Sequence, residues 1–154
     1  MKKILGLFVL AFAVLGLAAC SSKDANGIPN VLQDKYTGYS TNPGSSLAFS
    51  EGGSTISFNK KNNTITNKTE DESIKFTVIP EYKLNSYNKG VLNKHKAELY
   101  GKDYFLFTDS EKYQDGSYVY AAILTDGGKT IRIFEFENTG TADDYLYDFT
   151  GQAD

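Results

Sequence analysis

Ser73-Ile74-Lys75-Phe76-Thr77-Val78 decides the fold class: apolar Ile74, Phe76 and Val78 alternate with polar Ser73, Lys75 and Thr77. Successive side chains of a strand point to opposite faces, so a period of two is a strand with one face buried and one wet. The pattern recurs outward from there. Towards the N-terminus, Ile56 and Phe58 alternate with Thr55, Ser57 and Asn59, and Leu47 and Phe49 with Ala48 and Ser50. Towards the C-terminus, Tyr82 and Leu84 alternate with Lys83 and Asn85, and Ala97 and Leu99 with Lys96 and Glu98. Tyr104 to Phe107 and Tyr118 to Leu124 are apolar on both faces. These two are expected to be central strands, or strands whose second face lies under a loop or a ligand. The last long strand, Thr130 to Glu137, carries Phe134 and Phe136 on one face and Ile131 and Ile133 on the other.

Turn chemistry separates these runs. Gly52-Gly53, Lys61-Asn62-Asn63, Asp115-Gly116 and Asp126-Gly127-Gly128 tolerate the positive φ of tight hairpins, and Asn88-Lys89-Gly90 marks a longer loop. Strands joined by short turns without intervening helices make an antiparallel meander. The expectation is an all-β domain of roughly eight to ten strands, a small barrel or strongly curled sheet. Helical signals occur only at the two ends. Ile28 to Asp34 suits one short turn after Pro29. Thr141 with Asp144 three residues on resembles a capping box, opening a short C-terminal helix through Phe149 that Gly151 ends. With 11 Tyr and 10 Phe, no Trp and a single Met, the composition also favours strands.

Ile28-Pro29-Asn30-Val31-Leu32-Gln33-Asp34-Lys35-Tyr36 resembles the opening of lipocalin-like and calycin-like barrels, where a short helical turn leads into strand one at a Gly-x-Trp. Asp34 stands at the glycine position and Tyr36 at the tryptophan position. The resemblance covers these nine residues; it implies a barrel and transfers no ligand.

The N-terminus carries a different message. Met1-Lys2-Lys3 is cationic, Ile4 to Leu15 is apolar, and Gly16-Leu17-Ala18-Ala19-Cys20 follows. That architecture is a secretory signal, and its apolar run is shorter than the roughly 18 residues a spanning helix needs. Leu17-Ala18-Ala19-Cys20 resembles the lipobox of bacterial lipoproteins: an aliphatic residue, two small residues and a cysteine. The resemblance implies cleavage after Ala19 and diacylglycerol (palmitate-type acyl chains) on Cys20, which anchors the chain to the extracytoplasmic face of the cell membrane. Two acyl chains hold a bilayer far better than one, at roughly 0.8 kcal/mol per buried CH₂. Residues 1–19 are then signal, 20–27 a lipidated start and flexible tether, and 28–154 one β domain. The Lys- and Asn-rich composition, with Ser21 after the cysteine, favours a Gram-positive host.

The signal carries Lys2 and Lys3 and no acid, so residues 20–154 hold 14 basic and 19 acidic side chains, a net charge of −5. That argues against nucleic acid as a partner. Lys83, Lys89, Lys94, Lys96 and Lys102 face Glu98 alone within 83–102, whereas 135–154 holds only acids. The basic run suits an anionic envelope partner, or is a set of solvated faces.

Chemistry is sparse. The single His95 sits between Lys94 and Lys96 without an orienting acid in sequence, and the only cysteine is Cys20. No metal site of His or Cys and no cofactor is expected. Gly128-Lys129-Thr130 resembles a phosphate loop but lacks the glycine at position 123 and a following helix. Asp109, Glu111 and Asp115 miss the calcium-loop spacing because position 113 is Tyr. Asp143-Asp144 fits a helix start and Glu70-Asp71-Glu72 a solvated turn, so a hydrolase using the Asp143-Asp144 cluster is the third and least favoured reading. Asn62-Asn63-Thr64 and Asn67-Lys68-Thr69 are read as turns.

The functional expectation is a monomeric, non-enzymatic binding module for a small apolar ligand or envelope component. Tyr104, Phe105, Tyr118, Tyr120 and Phe134 would line the site, with plain core packing as their alternative role. The second expectation is an interaction, inhibitor or exclusion lipoprotein that captures an envelope protein through exposed loops, with Lys89, Lys94 and Lys96 as contacts.

Overall fold

The structure, a computed structural model, describes residues 21–40, 52–136 and 147–154. Nine strands are described: β1 (Lys35–Ser40), β2 (Gly52–Asn59), β3 (Thr64–Asn67), β4 (Glu72–Lys75), β5 (Thr77–Val78), β6 (Asp103–Thr108), β7 (Tyr120–Thr125), β8 (Thr130–Glu135) and β9 (Asp148–Ala153). Every pairing is antiparallel, in the order β4-β3-β2-β1-β9-β8-β7-β6-β5. The two edge strands are halves of one run separated by Phe76 alone. The first half pairs with β3 and the second with β6, so the sheet nearly closes into a barrel. The all-β barrel expectation holds.

Alternation fills the barrel. Tyr36, Ile56, Phe58, Ile65, Phe76, Phe105, Phe107, Tyr120, Ile131, Ile133 and Phe149 share one inner cluster. Size is matched across strands: Phe105 lies opposite Ala122, while Phe107 stacks on Tyr120 at 5.2 Å. Ile28 and Leu32 join this cluster from outside the sheet and plug one end of the barrel. The expected turn after Pro29 is there, with Leu32 N–H donating to Pro29 O. Tyr36 locks the plug. Its hydroxyl donates to Gly128 O at 2.7 Å and accepts from Gln33 N–H at 2.9 Å.

The doubly apolar strands have a covered outer face, as expected, but a helix covers it. Helix α1 (Ser86–Lys94) and the short α2 (Lys96–Leu99) lie against β6, β7 and β8. Val91, Leu92 and Leu99 pack there with Leu106, Ala121, Ile123, Phe134 and Phe136. Asn85 caps α1 by accepting from Asn88 N–H at 2.9 Å.

Several sequence expectations are corrected. Tyr82 lies inside a 3₁₀ turn (Glu81–Lys83) that Leu84 ends, and Ala97 and Leu99 belong to α2; none is in a strand. The Asn88-Lys89-Gly90 loop is the middle of α1, and Gly52-Gly53 opens β2 instead of turning. The C-terminal helix does not extend through Phe149: Asp148 to Gly151 lie in β9, which fills the place between β1 and β8. There its backbone groups pair on both sides, a nonlocal gain that outweighs local helical signals. Residues 141–146 and the Leu47–Phe49 alternation lie outside the described residues. The expected tether is also corrected, since residues 21–27 are tied down. Asp24 Oδ1 accepts from Asn26 N–H and Ile28 N–H, and Ser21 N–H donates to Asp103 Oδ1 at 2.6 Å.

Candidate functional site

The five aromatic candidates do not converge. Phe105 and Tyr120 point into the barrel, where rings occupy the lumen in succession: Tyr36 on Phe58 at 6.1 Å, Phe58 on Phe76 at 6.4 Å, Phe76 on Phe107 at 5.7 Å. Phe134 is outside, beneath the helices and 4.7 Å from the His95 ring. Tyr118 is exposed in the β6–β7 loop. Tyr104 stands at an open hollow.

That hollow is a trough in two compartments on the outside of β6. The first, about 440 Å³, lies between Lys23, Asn26, Gly27, the end of β5, Glu81, Tyr82 and Tyr104, with Ile79, Phe105 and Leu106 beneath. The second, about 250 Å³, lies between Glu81, Leu92, Lys96, Leu99, Tyr100, Lys102 and Tyr104. The Tyr104 hydroxyl donates to Glu81 Oε1 at 2.5 Å and divides them. Lys23 reaches in from the N-terminal segment, donating to Tyr104 O at 2.8 Å with its ammonium 5.3 Å from the Tyr104 ring. The rim carries the most exposed aromatics of the described chain: Tyr82 at 77% and Tyr100 at 87%. An apolar floor with tyrosine and lysine around it suits an amphipathic ligand with an anionic end.

Of the three lysine candidates, Lys96 lines the second compartment, while Lys89 and Lys94 are exposed along α1. A third hollow, beside Asp34, Lys35, Lys60 and Asp154, is crossed by its own ion pairs, Lys35–Asp154 and Lys60–Asp34. The Lys35 ammonium holds the Asp154 carboxyl below its ordinary range.

His95 has an acid after all: its Nδ1 lies 3.4 Å from Glu98 Oε2. Glu98 in turn pairs with Arg132, which takes Asp148 in a two-pronged bond at 2.8 and 2.7 Å. Hydrogen bonding to Asp148 strengthens the Arg132 charge further. This network fastens α2 to β8 and β9. Asp115 accepts from Asn85 Nδ2 at the cap of α1. Among the described residues no three acids, histidines or cysteines come together as a metal site.

Asp109 and Glu135 are electrostatically coupled at the other end of the barrel. Burial pushes both carboxyls above their ordinary range; the Asp109 charge raises Glu135 further, while the Tyr147 N–H opposes it. A raised folded-state value means the stabilising contribution is present in acid and fades as pH rises through that value. Glu135→Gln is therefore expected to raise the urea midpoint at pH 7, and the gain should vanish near pH 4, where the wild-type carboxyl is protonated. Equal midpoints at pH 7 would contradict the coupling.

No protein family, curated protein or solved structure matches the chain.

Proposed function

We propose that this chain is an extracytoplasmic lipoprotein, anchored to the cell membrane by diacylglycerol on Cys20, and that its barrel is a non-enzymatic binding module. The observation that carries the binding role is the divided trough around Tyr104, open on the outside of a barrel whose lumen is taken up by rings. The site therefore moves from the interior to the outer face of β6. Its chemistry suits an amphipathic envelope component: apolar carbon on Leu106, Leu92 and Leu99, and an anionic group at Lys23 or Lys96.

The anchor and the site are tested separately. Mass spectrometry of the mature protein should give a chain beginning at Cys20 with a diacylglycerol mass; an unmodified Cys20 would remove the lipoprotein reading. Native mass spectrometry of protein purified from its host should show a bound small molecule that Tyr104→Ala releases and Phe134→Leu retains. Retention by Tyr104→Ala would remove the trough.

The second reading, capture of an envelope protein, draws on the exposed Lys89 and Lys94 of α1. In that case Lys89→Ala with Lys94→Ala abolishes partner capture and leaves the small molecule in place.

A further inference from the structure

We infer that the helical face of the barrel lies against an anionic lipid bilayer, with Tyr82 and Tyr100 at the level of the headgroups. The inference rests on the lipoprotein reading for the origin of the anchor, and on three independent placements for the face.

The first placement is connectivity. Ser21 is fixed to β6 by two contacts to Asp103 Oδ1, 2.6 Å from its N–H and 3.0 Å from its hydroxyl. Residue 20 is one peptide further, about 3.8 Å between Cα atoms. An acylated Cys20 would thus leave the domain beside Asp103 and Tyr104, on the trough side. Because residues 21–27 are pinned, the anchor has little slack to let the barrel stand away from the membrane.

The second placement is charge. The chain after the signal is net negative, yet residues 83–102 hold five lysines and one acid, Glu98, which also pairs with Arg132 and His95; Glu81 and Asp103 are the acids that border the same face. Folded as α1 and α2 over the outside of β6 to β8, that segment leaves Lys89, Lys94 and Lys96 exposed. A basic face on an acidic protein is complementary to anionic headgroups, at a separation where a Debye length of about 8 Å still permits attraction.

The third placement is the tyrosines. Tyr82 and Tyr100 flank the two compartments and are the most exposed large apolar side chains among the described residues. Tyrosine partitions to the membrane–water interface, where its ring meets acyl carbon and its hydroxyl meets headgroups. In this pose the trough opens towards the bilayer, so an amphipathic ligand reaches it without crossing water.

The chain has no tryptophan, so one introduced indole reports alone. Tyr82→Trp, Tyr100→Trp and, as a control in the β6–β7 loop at the far end of β6, Tyr118→Trp are made in the full-length chain. The mature proteins are reconstituted with vesicles of phosphatidylglycerol or phosphatidylcholine, some carrying brominated acyl chains. In phosphatidylglycerol the Tyr82→Trp and Tyr100→Trp variants should shift to the blue and lose most of their emission to bromine, while the Tyr118→Trp variant keeps its emission. Lys89→Ala, Lys94→Ala and Lys96→Ala combined should lower the ratio of membrane-apposed to free-standing domain on the order of a hundredfold. An unquenched Tyr100→Trp variant whose Cys20 carries diacylglycerol overturns the inference and leaves the anchor standing. A quenched Tyr100→Trp variant whose Cys20 proves unmodified overturns the anchor and leaves the face standing. Equal quenching of all three variants also overturns the inference, because the domain would then have no preferred face.

Discussion

Gly38→Ala is expected to destabilise the domain by about 3 kcal/mol or more, an unusually large effect for one methyl group. Gly38 lies in β1 with Ser54 of β2 on one side and Gly151 of β9 on the other. A Cβ there would stand 2.0 Å from Thr150 O and 2.5 Å from Gly151 Cα. Both are backbone atoms of the adjoining strand, so no side chain can rotate to make room. The facing glycine is equally constrained, since a Cβ on Gly151 would meet the Phe149 ring at 2.7 Å and Tyr36 Cβ at 3.1 Å. Paired glycines let β1 and β9 approach closely where the sheet curls shut. The methyl group must therefore part these strands, and with them the seat of Tyr36. Gly90→Ala is the control: Gly90 is exposed within α1 with nothing within 4 Å of its Cβ. It should stabilise by about 0.5–1 kcal/mol through reduced backbone entropy of the unfolded chain. Urea unfolding of both variants, followed by far-ultraviolet circular dichroism, gives the two signs. A Gly38→Ala midpoint equal to wild type would mean that β1 and β9 have room between them for a methyl group.

The strands legible in the sequence are those whose own side chains alternate. Ser73 to Val78 is the clearest, and it is the run that closes the barrel. Thr130 to Glu137 even separates Phe134 and Phe136, which face outward, from Ile131 and Ile133, which face the lumen. Other strands lack that local signal. β9 reads Asp148-Phe149-Thr150-Gly151-Gln152-Ala153, where an acidic start and a glycine imitate the end of a helix. Its extended form is imposed by β1 and β8, distant in sequence, whose backbone groups it satisfies. β3 is four residues ending at Asn67 and following the Asn62-Asn63 turn, so turn composition hides it. Helix α1 is obscured by Asn88 and Gly90, yet Leu84, Val91, Leu92 and Leu99 recur at helical spacing, and Asn85 stands at a cap position. That spacing is the signal a closer reading would use. The trough is not legible at all, because it joins residues from 23 to 106 through a wall that only the N-terminal segment and the helices complete. Tyr104 is legible as an aromatic on a doubly apolar strand; Tyr82 and Tyr100 are not, because solitary exposed tyrosines carry no periodicity. Lys96 stands out in the sequence for its charge, and only the fold distinguishes it from Lys89 and Lys94.

Phe76→Ala, finally, is expected to cost about 3–5 kcal/mol and to convert the filled barrel into a hollow one. Phe76 is the single residue between β4 and β5, buried to 2% exposure, and its N–H donates to Asn63 O at 2.9 Å. Its ring lies 6.4 Å from Phe58, 6.3 Å from Phe105 and 5.7 Å from Phe107. Truncation removes contacts on three sides at the seam where the sheet meets itself, and the surrounding strands are too well paired to collapse fully into the space. The backbone bond to Asn63 survives the change, so the loss is one of packing and not of register. An apolar void of that kind stays dry and admits small apolar molecules. The variant should then take up benzene or a similar probe and regain part of its melting temperature, whereas the wild-type protein should not respond. This contrast separates lumen from trough. If the wild-type barrel binds such a probe as tightly as the variant, its rings yield to a ligand, and the interior becomes the functional site in place of the face around Tyr104. If only the variant responds, the rings are structural, and any ligand the native protein carries must be held outside them.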